Sequence, residues 1–202
     1  MFAKLLVPET EKPRTDEELA DEGDKPVNVI DAAAGGAVTG AQIAIAVGAS
    51  LLAFVALISL VNGMIGGVGG WFGYGSLTLQ TILGWLFSPL AWAIGVPWSE
   101  AGIAGSLIGQ KVVVNEFVAY AEFVKYLSPE SAVQLSDTTK AIISFALCGF
   151  ANISSMAILI GGLGSMVPER KSFIARYGMR AILSGVLANL MSACLAGLFL
   201  AL

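Results

Sequence analysis

The chain has 202 residues, 56% of them hydrophobic and only 13% charged, with a formal net charge of −4 and no histidine. Asp, Glu, Lys and Arg are absent between Asp31 and Glu100, between Lys140 and Glu169, and after Arg180, and each gap exceeds the roughly 20 residues that a helix needs to cross hydrocarbon. The composition therefore specifies an all-α integral membrane protein. It excludes barrel strands, which alternate polar and apolar, and any Ser-His-Asp or histidine-metal site.

The acidic excess lies at the start. Residues 1–27 hold eight acids and four bases, and the remainder balances at seven and seven. Met1 to Val7 is too short and too soon followed by Pro8 and acids to be a signal peptide. Residues 8–27 cannot bury enough apolar surface to fold alone. We read 1–27 as a cytoplasmic acidic linker and 28–202 as the membrane domain. A polar linker that starts so abruptly suggests a chain beginning inside a larger protein. No basic patch points to nucleic acid.

Asn28 or Asp31 is placed to cap the next helix. The small-residue stretch Ala32 to Ala44 then feeds a span near Ile43–Ile65 and allows close helix approach. Gly66 to Gly75 reads as a glycine-rich turn. All four tryptophans (Trp71, Trp85, Trp92, Trp98) fall in or after it, as expected of indoles at the headgroup layer. Residues 77–96 could span, but Gln80, Thr81, Pro89 and two tryptophans favour a surface helix.

Glu100 to Tyr126 is too short to cross twice and too polar to cross comfortably once. Two short helices meeting near Val114-Asn115, a re-entrant hairpin, suit it, provided that they are buried in protein or line a cavity. Leu127 to Thr139 reads as a polar loop. Ala141 to Met166 reads as a span interrupted at residues 149–155, Pro168 to Arg180 as a basic connector, and 181–202 as the last span. Cys148 and Cys194, inside apolar runs, read as small buried hydrophobes. The connector places itself in the cytoplasm; the C-terminus and the Trp-rich segment then lie outside, and the acidic tail inside.

Two constellations could carry chemistry. The first is Lys111, Asn115 and Glu116. A charge at membrane depth costs several kcal/mol and marks a functional site by default. Lys111 and Glu116 are five apart, not the helical three or four, so mutual neutralisation requires a backbone break between them. Otherwise Glu116 accepts hydrogen bonds from a polar ligand, its two oxygens suiting adjacent hydroxyls, while Asn115 shapes the hairpin tip. The second is Phe150, Asn152, Ser154 and Ser155. Here the serines either bond back to the helix, or a loosened turn points Asn152 and Ser155 into a cavity, as in transporter sites. Glu122 with Lys125 and Asp137 with Lys140 read as peripheral ion pairs.

The run Gly109-Gln110-Lys111-Val112-Val113-Val114-Asn115-Glu116-Phe117-Val118-Ala119-Tyr120 resembles the signature of the concentrative nucleoside transporter family. Cys148-Gly149-Phe150-Ala151-Asn152-Ile153-Ser154-Ser155 is similar to that family's second signature. Leu6 to Glu11 and Asn28 to Ala33 also resemble its bacterial members. The likeness runs along essentially the whole chain, but to the family's C-terminal half only. It implies the second of two inverted repeats, with an external surface helix, a re-entrant hairpin and a broken helix, in a homotrimer of the cytoplasmic (inner) cell membrane.

Carried over by motif, the resemblance implies a substrate site of Glu116, Asn152 and Ser155 on the ribose, Phe150 beside the nucleoside, and Asn115 at the hairpin. It implies sodium- or proton-coupled nucleoside symport, no enzymatic activity and no cofactor. Ligands for the coupling ion, and most contacts to the base, are expected in the N-terminal half. The competing readings are a truncated or accessory membrane subunit without transport of its own, and an intramembrane enzyme. The second is disfavoured because histidine is absent and no Asp falls within a span.

Overall fold

The computed structural model describes residues 1–8, 26–128, 130–131, 133–155 and 171–202. Most of the acidic linker, the end of the interrupted span at Met166 and the connector's Pro168 to Arg170 lie outside these. The described elements are helices: α1 (Phe2–Leu6), α2 (Val29–Trp71), α3 (Leu79–Ala93), α4 (Trp98–Val113), α5 (Glu116–Phe123), α6 (Asp137–Leu147) and α7 (Lys171–Ala201), with a 3-10 turn at Val124–Tyr126. Two stretches are long and apolar enough to cross a membrane, Leu52–Trp71 and Ser172–Ala201.

Asn28 caps α2, its Oδ1 accepting from the Asp31 amide at 2.9 Å. Asp31 reciprocates by accepting from the Val27 amide at 3.0 Å, so both candidate caps act together. The small-residue stretch runs into the span without a break, in one 43-residue helix, and one expectation needs correction: the turn begins only at Phe72, not at Gly66. Glycines 66, 67, 69 and 70 stay helical. At Gly69 the returning chain comes so near that an added Cβ would meet the Tyr74 carbonyl oxygen at 2.5 Å. The glycines admit that close return; the reversal itself is made by Gly73, whose φ is +83°.

Asn62, inside α2, then ties the start of α3. Its Oδ1 accepts from the Leu79 amide at 2.7 Å and its Nδ2 donates to Gln80 at 3.0 Å, satisfying a helix-terminal donor. A second turn at Gly95 (φ +107°) leads to α4, which is inclined at 116° to α3. The two helices pack through glycines: a Cβ at Gly105 would sit 2.6 Å from the Ser88 amide nitrogen, and one at Gly84 would sit 2.9 Å from the Gly102 carbonyl oxygen.

The helices α4 and α5 meet at Val114-Asn115, where the sequence places the hairpin tip. The next helix starts slightly earlier than expected, at Asp137, because Ser136 caps it and Glu100 of α4 accepts from the Ser136 amide and hydroxyl. The core gathers small and branched side chains of α3 to α7, among them Ala101, Leu107, Ile108, Phe123, Ile142, Leu147 and Leu190. A second cluster of Ile58, Val114 and Val118 seats α2 against the hairpin tip.

Three further corrections concern the ends and the cysteines. Phe2–Leu6 is helical and touches α7 rather than extending the linker. Lys171 to Arg180 is the first part of α7 rather than a separate connector. Phe173, Tyr177 and Arg180 stack there on successive turns, which favours helix over loop. Cys148 and Cys194 are free, as expected, but exposed rather than buried. Hydrocarbon is as apolar as the core, so an apolar neighbourhood in the sequence does not distinguish inside from outside. Ion pairs at Lys125–Glu122 (2.6 Å) and Lys140–Asp137 (3.3 Å) form as expected.

Candidate functional site

The α6 helix stops at Leu147, and its C-cap Cys148 leaves helical geometry with ψ +78°. A new helical turn starts at residue 153. Asn152 opens that turn. Its Oδ1 accepts from the Ser155 amide at 2.8 Å and from the Ser154 hydroxyl at 2.6 Å, with the Ser155 hydroxyl at 2.9 Å. This is the arrangement of a helix N-cap. Asn115 does the same for α5, its Oδ1 accepting from the Val118 amide at 3.0 Å. Both breaks are thus begun by an asparagine cap.

The two caps differ in what remains free. Donors crowd Oδ1 of Asn152, which aims its Nδ2 the other way, at Glu116. The resulting bond, Asn152 Nδ2 to Glu116 Oε2, is 2.7 Å long and buried. Asn152 is 1% exposed and Glu116 7%. The carboxylate lies in the first turn of α5, where unpaired amides and the helix dipole favour negative charge. Only Oε2 is engaged among the described residues, so Oε1 retains its acceptor capacity.

The candidate residues are therefore divided. Glu116 and Asn152, 36 positions apart, are brought into direct contact. Ser155 stands beside them, its hydroxyl within reach of both the Phe150 carbonyl oxygen and Asn152 Oδ1. A hydroxyl has one proton, so it serves one of these at a time. The Phe150 side chain is exposed beside this cluster in sequence. Asn115 is mostly buried and its oxygen is committed to capping, which gives it a role in holding the hairpin tip.

Some contributors were not singled out from the sequence. Asn62 ties α2 to α3, and the Tyr120 hydroxyl donates to the Ser144 carbonyl oxygen at 2.9 Å, tying α5 to α6. Asn189 and Gly185 of α7 lie against the break, at Gly149 and Ala151 respectively. A lone amide inside an apolar span is itself the signal that could have found Asn62 and Asn189.

Comparison with known proteins follows the same outline. Residues 1–197 match the family described as Na+ dependent nucleoside transporter C-terminus. The chain is 61% identical to an uncharacterized transporter of Haemophilus influenzae over all of its own length and 49% of that protein's. It is 52% identical to the nucleoside permease NupC of Helicobacter pylori, over all of its length and 48% of the permease. Among solved structures it resembles CNTnw in an inward-facing substrate-bound state, with a TM-score of 0.91 at 75% identity, over 97% of this chain and 46% of that one. The chain thus spans about half the length of the relatives it matches. These relatives are transporters, not enzymes. The helical order, the buried Glu116–Asn152 pair in its two signature segments and the match over residues 1–197 place this chain in the concentrative nucleoside transporter family.

Proposed function

We propose that this chain is the ribose-binding half of a cation-coupled nucleoside symporter that carries nucleosides into the cell. The single observation that carries the reading is the buried bond between Glu116 and Asn152. It holds the Glu116 carboxyl group buried with one oxygen in reserve, close to the Ser155 hydroxyl that also reaches Asn152. Adjacent sugar hydroxyls match such acceptors, and a nucleobase suits the face of an aromatic residue.

In this reading Glu116, Asn152 and Ser155 contact the ribose, Phe150 flanks the nucleoside, and Asn115 fixes the hairpin tip that presents Glu116. The complementary N-terminal half supplies most contacts to the base and the seat of the coupling ion, Na+ or H+. The assembly is a homotrimer in the cytoplasmic (inner) cell membrane. The relatives, among them a nucleoside permease and a human sodium/nucleoside cotransporter, support the substrate class and the coupling.

The test is uptake of radiolabelled uridine into vesicles that hold this chain alone or together with a matching N-terminal half. Uptake on co-expression is expected, and Glu116→Gln should weaken it about ten- to a hundredfold, the worth of a charged hydrogen bond. Normal uridine transport by that variant refutes the role of Glu116. Absence of uptake in either arrangement favours an accessory or truncated subunit.

A further inference from the structure

From Ala181 to Ala201 the last helix carries no charged residue. That stretch reaches about 31 Å, which matches the roughly 30 Å of hydrocarbon. Arg180 therefore stands at the hydrocarbon edge. Arg176, one turn earlier, stands about 6 Å further out, within a headgroup layer about 5–8 Å deep.

The two arginines share one face of α7. Gly178, Ile182, Val186 and Leu190 form the buried stripe of this helix. Each arginine precedes a member of that stripe by two positions, and two positions turn a helix by about 200°. Both therefore lie on the outward side, and both are exposed. Phe173 is exposed there too, its ring 4.5 Å from that of Tyr177. The Arg180 guanidinium lies 5.5 Å from the centre of the Tyr177 ring. A cation and an aromatic face attract, so the ring pair holds Arg180 in place, and tyrosine itself favours the headgroup layer.

No acid answers this charge. The sequence has no Asp or Glu after Glu169. Among the described residues neither arginine side chain has an ion pair or hydrogen bond. Two cations at phosphate depth thus lack an anion. A guanidinium takes a phosphate through two parallel N–H bonds, a geometry that lysine does not offer.

We propose that Arg176 and Arg180 form a seat for the headgroup of an anionic phospholipid. The guanidinium forks grip its phosphodiester, and its acyl chains lie along the exposed Met179 and Leu183. Net charge selects the lipid, because a zwitterionic headgroup brings a cation of its own to a surface that already has two. The seat is independent of what binds around Glu116.

The full chain in mild detergent is offered phosphatidylglycerol and phosphatidylcholine in equal amounts, and the lipid retained after gel filtration is identified by mass spectrometry. Phosphatidylglycerol should be retained in excess. Arg176→Gln and Arg180→Gln should each reduce that excess about fivefold, the share of one basic residue at an anionic surface. Arg→Lys at both positions should keep more of it than Gln, since the charge stays while the fork is lost.

Lys171→Gln controls for diffuse charge. Position 171 falls about 140° from Arg176 and about 180° from Arg180 around the helix, so the excess should survive this change. An equal loss there overturns the seat. So does an excess that persists with both arginines replaced, or its absence in the unsubstituted chain. Displacement of the lipid by millimolar inorganic phosphate would make this a soluble-anion site and reject the lipid. Both side chains are exposed, so the variants should fold; if the double variant is not recovered, each single variant carries the same test.

Discussion

Gly149, in the break after α6, lies against the Asn189 amide of α7 so closely that a Cβ added to the glycine would overlap it. One turn earlier on α7, a Cβ at Gly185 would approach the Ala151 Cβ to 2.7 Å. The irregular backbone that carries Asn152 is thus supported from behind by a spanning helix. This is how non-helical backbone persists at membrane depth.

Gly149→Ala should destabilise the protein by about 1–3 kcal/mol, as overpacking does. Asn189→Ala alone should cost less, because its Nδ2 is buried with no partner among the described residues. The double variant should regain most of the loss, since the obstacle is gone. Thermal unfolding in detergent measures all three, and a Gly149→Ala protein as stable as the original contradicts the packing described.

Two glycines of α4 give an internal control. An added methyl at Gly105 meets the backbone of Phe87 and Ser88, which cannot rotate away, whereas Gly102 has open space. Gly105→Ala should lower stability by about 1–3 kcal/mol. Gly102→Ala should be neutral or raise it by up to about 1 kcal/mol through helix propensity. Equal effects at the two positions would show that α3 and α4 are not packed through Gly105.

Asn115→Ala removes the cap of α5 and should cost about 0.5–2 kcal/mol. Asn115→Asp and Asn115→Ser, which can still accept from the Val118 amide, should recover most of that stability. If the three variants melt alike, the capping bond contributes nothing to the hairpin tip.

Glu116 and Asn152 should be energetically coupled. A cycle of Glu116→Gln, Asn152→Ala and the double variant, read in uridine KM, should show an interaction of about 0.5–3 kcal/mol, the range for residues in direct contact. Strict additivity is the result at odds with a bond between them.

Polar residues in an apolar chain were the legible part of this protein. Asn115-Glu116 and the Gly149–Ser155 segment mark both breaks because charge and amide groups at depth require a reason. Caps were legible too, at Asn28, since side-chain oxygens before a helix have one use. That Glu116 and Asn152 serve one site was implied by family likeness and not by spacing, for nothing local links positions 36 apart; the bond between them is visible only in the structure. Three features stayed hidden. The glycines of α2 resemble a turn but remain helical. The basic stretch at Lys171 resembles a loop but extends a helix. The exposure of Cys148 and Cys194 could not be read, because lipid and core favour the same side chains.

The 31 residues of α7 reach about 46 Å, against roughly 30 Å of hydrocarbon. The excess carries Arg176 and Arg180, both exposed. Drawing either into the acyl region costs about 2.5–3.5 kcal/mol on insertion scales, so this overhang acts as a depth stop. Because Gly185 and Asn189 brace the break from the same rod, any vertical excursion of Asn152 alone would strip it from its support. Displacement of the break then demands that it and α7 travel as one piece.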